Sequence, residues 1–199
     1  MHGIDEDQYA RHSADISNCA DPCPLSGVRR ITIIFRSRWR MQIEKGVAMP
    51  EINTEFLFTI ALEIQVSSLG DTPYGGRRIY HFSGGSFEGP KLKGRVLPGG
   101  GGWSLIRRDE VLEVDVRLIL ETDDKHQIYM AWKGLRHGPK EVMERLYRGE
   151  IVEPRAYYFR TTPYFETSSE KYGWMNGICS IASGSLGANA RMLDVFQVL

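Results

Sequence analysis

The strictest constraint on this chain lies in residues 112–121, where Leu112, Val114, Val116, Leu118 and Leu120 alternate with Glu113, Asp115, Arg117, Ile119 and Glu121. A side-chain period of two puts the first set on one face of an extended segment and the second on the other. A helix would scatter both sets, so the run predicts a strand with one buried face. The period recurs upstream. Phe56, Phe58, Ile60, Leu62, Ile64 and Val66 are expected to hold one face of a long strand, and Arg78, Tyr80 and Phe82 to share a face of residues 77–83. Residues 72–76 and Asp123-Asp124 read as turns, and residues 127–133 as the strand that pairs back.

Further strands are expected over residues 156–162, 173–183 and 191–199, which brings the count near eight. The expected fold is all-β: a closed antiparallel up-and-down barrel of about eight strands, calycin- or lipocalin-like. One short helix interrupts it. Pro139 stands at a helix start, Val142, Met143 and Leu146 form a short apolar stripe, and Gly149 supplies the stop. Such a helix is too short to build a core and is read as a cover for a rim or barrel end.

Residues 86–103 read SFEGPKLKGRVLPGGGGW and concentrate glycine: Gly89, Gly94 and the run from Gly99 to Gly102. Glycine inside a strand pattern marks a bulge, a bend or a close backbone approach. Function is sought here first, beside the plainer reading that these glycines only shape turns. FEGPKLKGRVLPGG followed by Trp103 resembles the signature of the family catalogued as domain of unknown function 3237, also called uncharacterised protein family 0311. Other stretches match in order: Gly76-Arg77-Arg78, Asp115-Val116-Arg117, Thr122-Asp123-Asp124, residues 157–160, Phe165-Glu166-Thr167 and residues 172–176. The resemblance covers residues 49–199 and implies an antiparallel β-barrel. Where the family usually reads Gly-Asp-Trp, this chain has Gly101-Gly102-Trp103. Asp109-Glu110 and Asp124-Lys125 stand where Asp-Gly turns are usual, and Glu and Lys tolerate positive φ poorly.

At 199 residues and 42% hydrophobic content, the chain can bury one well-formed core. Lys plus Arg equals Asp plus Glu at 25 each, so no global field favours nucleic acid or an acidic membrane as partner. No run of 18 apolar residues and no secretory layout appears. Cys19, Cys23 and Cys179 do not make a disulfide framework, which fits a reducing cytoplasm.

Residues 1–48 differ in character from the rest. Residues 1–27 are polar and aperiodic, and a short apolar run follows between five arginines. Glu44-Lys45-Gly46 must be encoded by a purine run a few nucleotides before the Met49 codon, where a bacterial ribosome-binding site would lie. The expectation is a disordered or non-native extension over residues 1–48 and a single barrel domain over residues 49–199.

No nucleophile elbow, Walker loop or dinucleotide fingerprint occurs. His81, His126 and His137 lack metal-site spacing, so neither metal nor cofactor is expected. Carboxylates, guanidiniums and aromatic rings remain. Asp115 and Arg117 share a strand face, as do Tyr158 and Arg160, and as do Trp174 and Asn176. If those faces turn inward, Glu88 or Glu166 is the candidate acid or base. Arg160 and Arg117 would then hold a developing oxyanion, and Tyr158, Trp103 and Trp174 would sandwich a ring. The same residues also read as structural ion pairs that fix strand register.

Three functions follow from these expectations. The first is a cofactor-independent enzyme that moves a proton on a small aromatic or carbonyl-bearing metabolite in the lumen, in an isomerase, lyase or hydrolase type of step. The second is a lipocalin-like binding protein without catalysis. The third is an interaction module whose Gly-rich edge pairs with another chain. A small molecule is the expected partner in the first two, and a homo-oligomer is compatible with any of them.

Overall fold

The computed structural model describes residues 51–187 and 191–199. The expectation of an extension over residues 1–48 lies outside the described residues. Nine strands are present among the described residues: β1 (Thr54–Thr72), β2 (Gly75–Glu88), β3 (Lys93–Val96), β4 (Gly101–Ile106), β5 (Leu112–Thr122), β6 (Gln127–His137), β7 (Tyr158–Glu166), β8 (Ser180–Leu186) and β9 (Arg191–Val198). Each pairs antiparallel with its neighbours, and β9 pairs back on β1 to close the ring.

The ring has eight lanes because β3 and β4 share one. β3 pairs with the end of β2 and the end of β5, while β4 pairs with their opposite halves. Residues 86–103 are thus one return strand, broken in the middle by a turn that Phe82 stitches with two backbone bonds to Gly99 and Gly100. Both sides of the Gly-rich stretch are paired, so it offers no free edge. Among the described residues, the expected eight-strand up-and-down barrel with one short helix is what forms.

Strict alternation explains why these segments close. β5 buries Leu112, Val114, Val116, Leu118 and Leu120, and β7 buries Phe159, Thr161, Pro163 and Phe165. The inward sets merge into one core with Phe58, Ile60, Leu62, Met130 and Trp132. In β1 the expected single face is broken: Leu57 is an extra residue in the β1–β9 register, which turns Phe56 outward while Leu57 and Phe58 are both buried. Val66 is exposed, because β1 runs past β9 beyond Leu62 and no layer covers it there.

Helix α1 (Lys140–Tyr147) lies in the β6–β7 connection and buries Met143 and Leu146. It caps the barrel end where β6 finishes. At the opposite end the expected strand over residues 173–183 divides into a 3₁₀ turn (Gly173–Gly177) and β8. Only Met175 of that turn is buried, so nothing there has the period of a strand.

Two departures from Asp-Gly turns leave a mark on the backbone. Glu110 has φ 66° and Lys125 φ 69°, both left-handed. A side chain in that region costs about 1–2 kcal/mol, against the extra entropy of about 0.5–1 kcal/mol that glycine loses on folding. Glu110→Gly is therefore expected to stabilise the chain by roughly 0.5–1 kcal/mol, read as a higher midpoint in urea. Lys125→Gly should gain less, since it also removes the 3.1 Å pair between Lys125 Nζ and Glu121.

Candidate functional site

Strand phase decides which side chains can meet inside the barrel, and it corrects the lumenal placement of the residues singled out above. Asp115 and Arg117 lie on the face of β5 opposite its core residues, and Tyr158, Arg160 and Glu166 lie on the outward face of β7. Glu88, at the end of β2, is also exposed.

Four of these residues do come together, on the outer wall. Trp103, Asp115, Tyr158 and Arg160 line an open depression of about 730 Å³ with Arg77, Leu135 and Ile181. Asp115 is engaged there by Arg117 at 2.9 Å and by Lys133 at 3.9 Å. Arg117 also faces the Trp103 ring at 5.9 Å, and Tyr158 stacks on His137 at 4.9 Å with Arg160 at 5.5 Å. These groups stay hydrated, and exposed pairs of this kind are worth little.

Glu88, Glu166, Trp174 and Asn176 are gathered at the end away from α1. Asn176 is spent on backbone: its Oδ1 accepts from Thr167 N at 2.8 Å and its Nδ2 donates to Thr167 O at 2.9 Å. Trp174 packs under Lys91 at 5.6 Å. The loop that carries both is anchored to the β5–β6 turn through Asp124, which accepts from Lys171 at 2.6 Å, Thr122 at 2.6 Å and Tyr172 at 3.1 Å. Those donors, Lys171 foremost, hold the Asp124 carboxyl well below the usual carboxylate range. No Glu166–Arg160 pair forms, since the two sit six residues apart along β7.

The polar groups inside the barrel are different ones. At the α1 end a narrow cavity is lined by Tyr80, Phe82, Leu112, Val114, Trp132 and Phe159 together with Ser104, Arg136 and Arg191. Room for water-sized occupants is about 40 Å³, and the space opens toward the mouth. Arg136 is 3% exposed and Ser104 0%. Among the described residues neither Arg136 Nε nor Ser104 Oγ has a hydrogen-bond partner, and Thr161 Oγ1 on the inward face of β7 is in the same condition.

Arg191 points the same way, since its register partners Leu62 and Leu186 are both buried. Arg78, opposite inward-facing Ser104, completes a set of three guanidiniums. Arg78 and Arg136 sit 4.5 Å and 5.6 Å from the ring of Tyr147 on α1, and Arg136 lies 5.8 Å from Phe159. The Arg191 guanidinium is held below the ordinary arginine range, first by burial and then by repulsion from Arg136.

Sequence reasoning passed over Arg136, although its signal was present. Ile128, Met130, Trp132, Gly134 and Arg136 are in phase, so a charge stands where β6 calls for an apolar residue. Gly102 belongs to this interior as well: its register partners Tyr80 and Val116 both face inward, so a side chain there would point into the lumen.

Residues 52–198 match the family described as "Protein of unknown function (DUF3237)". A UPF0311 protein of Rhodopseudomonas palustris is 38% identical over 151 residues, which span 75% of this chain and 99% of that protein. Among solved structures, a beta-barrel like protein from Acinetobacter baumannii aligns with TM-score 0.67 at 37% identity, covering 77% of this chain and 99% of its own. An enzyme from Penicillium herquei aligns with TM-score 0.56 over 77% of this chain and 99% of its own. At 23% identity that likeness speaks for the fold alone. No helix among the described residues is long and apolar enough to cross a membrane.

Proposed function

The chain belongs to the DUF3237 family, and from that premise we propose that it is a small-molecule protein whose working site is the lumen at the α1 end, a receptacle of the lipocalin kind. One observation carries this reading: an otherwise apolar core keeps a cavity there, with the unpartnered Arg136 Nε and Ser104 Oγ at its wall. Natural cores pair such groups with protein, ordered water or a ligand, and a charged group kept beside open space is the feature that points to a ligand here. The exposed Cys179, with no disulfide partner among the described residues, is in keeping with a cytoplasmic site of action.

The second reading is catalysis in the same place, a cofactor-independent proton transfer on an aromatic or carbonyl-bearing compound. It is favoured by Tyr80, whose phenol lines the cavity near Arg191 and can carry a proton beside a developing oxyanion. Glu88 and Glu166 have no part in it, because both side chains leave the barrel on its outer surface. Without a lumenal carboxylate among the described residues, binding is the better-supported function.

Incubation of the full chain with a metabolite extract, followed by untargeted mass spectrometry, tests both readings. A compound retained unchanged by the intact chain and lost in Val114→Phe, which fills the cavity wall, is the expected result. Conversion of that compound, abolished by Tyr80→Phe, would move the assignment to the enzyme. Retention that Val114→Phe leaves intact, in a variant still folded by circular dichroism, would sink the lumenal site.

A further inference from the structure

Three arginines gather at one end of this barrel with no carboxylate paired to them among the described residues. Arg136 and Arg191 line the same cavity from β6 and β9, Arg78 of β2 lies near enough to repel Arg191, and none of the three takes part in an ion pair at 4.0 Å or less among the described residues. Ion pairs are abundant elsewhere. Asp115, Glu121 and Glu150 each serve two cations on the surface. Arg78 and Arg136 have rings instead, which offset only part of the cost of withdrawing guanidinium from water.

We infer that the lumen at the α1 end is an anion site, and that its ligand is a small organic oxyanion, a carboxylate or phenolate, carried on an aromatic or apolar body. This inference rests on the lumenal reading proposed above and names the ligand class for it. Arg136 holds the oxyanion through its unpartnered Nε and the rest of its planar fork, and Ser104 Oγ adds a neutral donor from the facing strand. Arg191 contributes charge from across the mouth, where burial first and Arg136 second hold its basicity down. The walls choose the body of the ligand. Trp132, Phe159, Phe82, Leu112 and Val114 line the cavity with apolar surface, which suits an apolar body better than a hydrated inorganic ion; with about 40 Å³ of room inside, the oxyanion end enters and the body lies in the mouth. A cation would meet like charge on three sides, and a neutral compound would leave the guanidinium unpaired.

Titration calorimetry of the full chain with benzoate, and with its neutral isostere benzamide, reads this directly. Benzoate is expected to bind saturably and benzamide at least about tenfold more weakly, in line with a charge-assisted contact. Arg136→Met should weaken benzoate about tenfold or more and leave benzamide nearly unchanged, while Arg136→Lys recovers part of the loss. Gly102→Asp, which adds a carboxylate facing the lumen, should weaken benzoate in the same direction. Absence of saturable benzoate binding overturns the inference, as does equal affinity for the two compounds, or full benzoate affinity in folded Arg136→Met. The last two results leave the lumenal site intact if Val114→Phe still blocks the probe. Benzoate binding that survives Val114→Phe removes both readings together.

Discussion

Arg136→Met is expected to make the ligand-free chain more stable, by about 1–2 kcal/mol. Two opposed effects decide the sign. A guanidinium 3% exposed, without a carboxylate among the described residues, carries a desolvation cost that its surroundings do not return. Exchange of buried ionic groups for well-packed apolar ones of similar volume is neutral or stabilising by about 1–4 kcal/mol. Against this stands the loss of ring contacts to Tyr147 and Phe159, at 5.6 Å and 5.8 Å. Each is worth about 0.5–2 kcal/mol at most, and less at these separations. Methionine keeps the volume and flexes into the space, so no new cavity offsets the gain.

The measurement is the thermal midpoint of the two full chains, where a rise on the order of 5 °C is expected for a domain of this size. Arg136→Ala is the control for packing, and it should fall below the parent because it leaves a void. A loss of more than about 1 kcal/mol in Arg136→Met would mean that the guanidinium holds the barrel together and is no binding group. Stability withheld at one buried residue is the usual mark of a site, since a group kept ready for a ligand goes unsatisfied without it.

The same residue shows what the sequence could tell. Alternation alone specified the barrel, because eight lanes of period-two segments with short turns have few other ways to bury their apolar faces. It also assigned Asp115 and Arg117 to the outer surface, since both fall out of phase with Leu112, Val114 and Leu118. Placing them in the lumen set chemical attractiveness above phase. The inward arginine was legible by the opposite sign, a charge in phase with Ile128, Met130 and Trp132. The one-residue bulge at Leu57 and the break in the β3–β4 lane were not legible. A single inserted residue inverts the facing of all that precedes it without altering the local composition.

That broken lane is the source of the second large effect, and it gives the Gly-rich stretch a role in packing instead of chemistry. Gly94→Ala is expected to destabilise the chain by about 3 kcal/mol or more. Gly94 sits in β3 between Phe87 of β2 and Thr122 of β5, and its φ is not positive, so conformation alone would admit alanine. Space would not. An added methyl overlaps Glu121 O and falls 2.8 Å from Thr122 Cα, and both are backbone atoms that cannot rotate away. Relief would require β3 to lift from β5, and the four-residue strand has few bonds with which to resist, among them Asp123 N to Lys93 O at 3.1 Å. Two sister variants separate the causes. Gly99→Ala meets nothing within 4 Å but carries φ 100°, so it should cost only about 1–2 kcal/mol. Gly173→Ala meets neither obstacle and should be nearly silent. Urea midpoints in the order Gly173→Ala, Gly99→Ala, Gly94→Ala, from highest to lowest, are the expected result. Equal midpoints for the first and last would show that β3 and β5 do not approach so closely, and the shared lane would lose its physical basis.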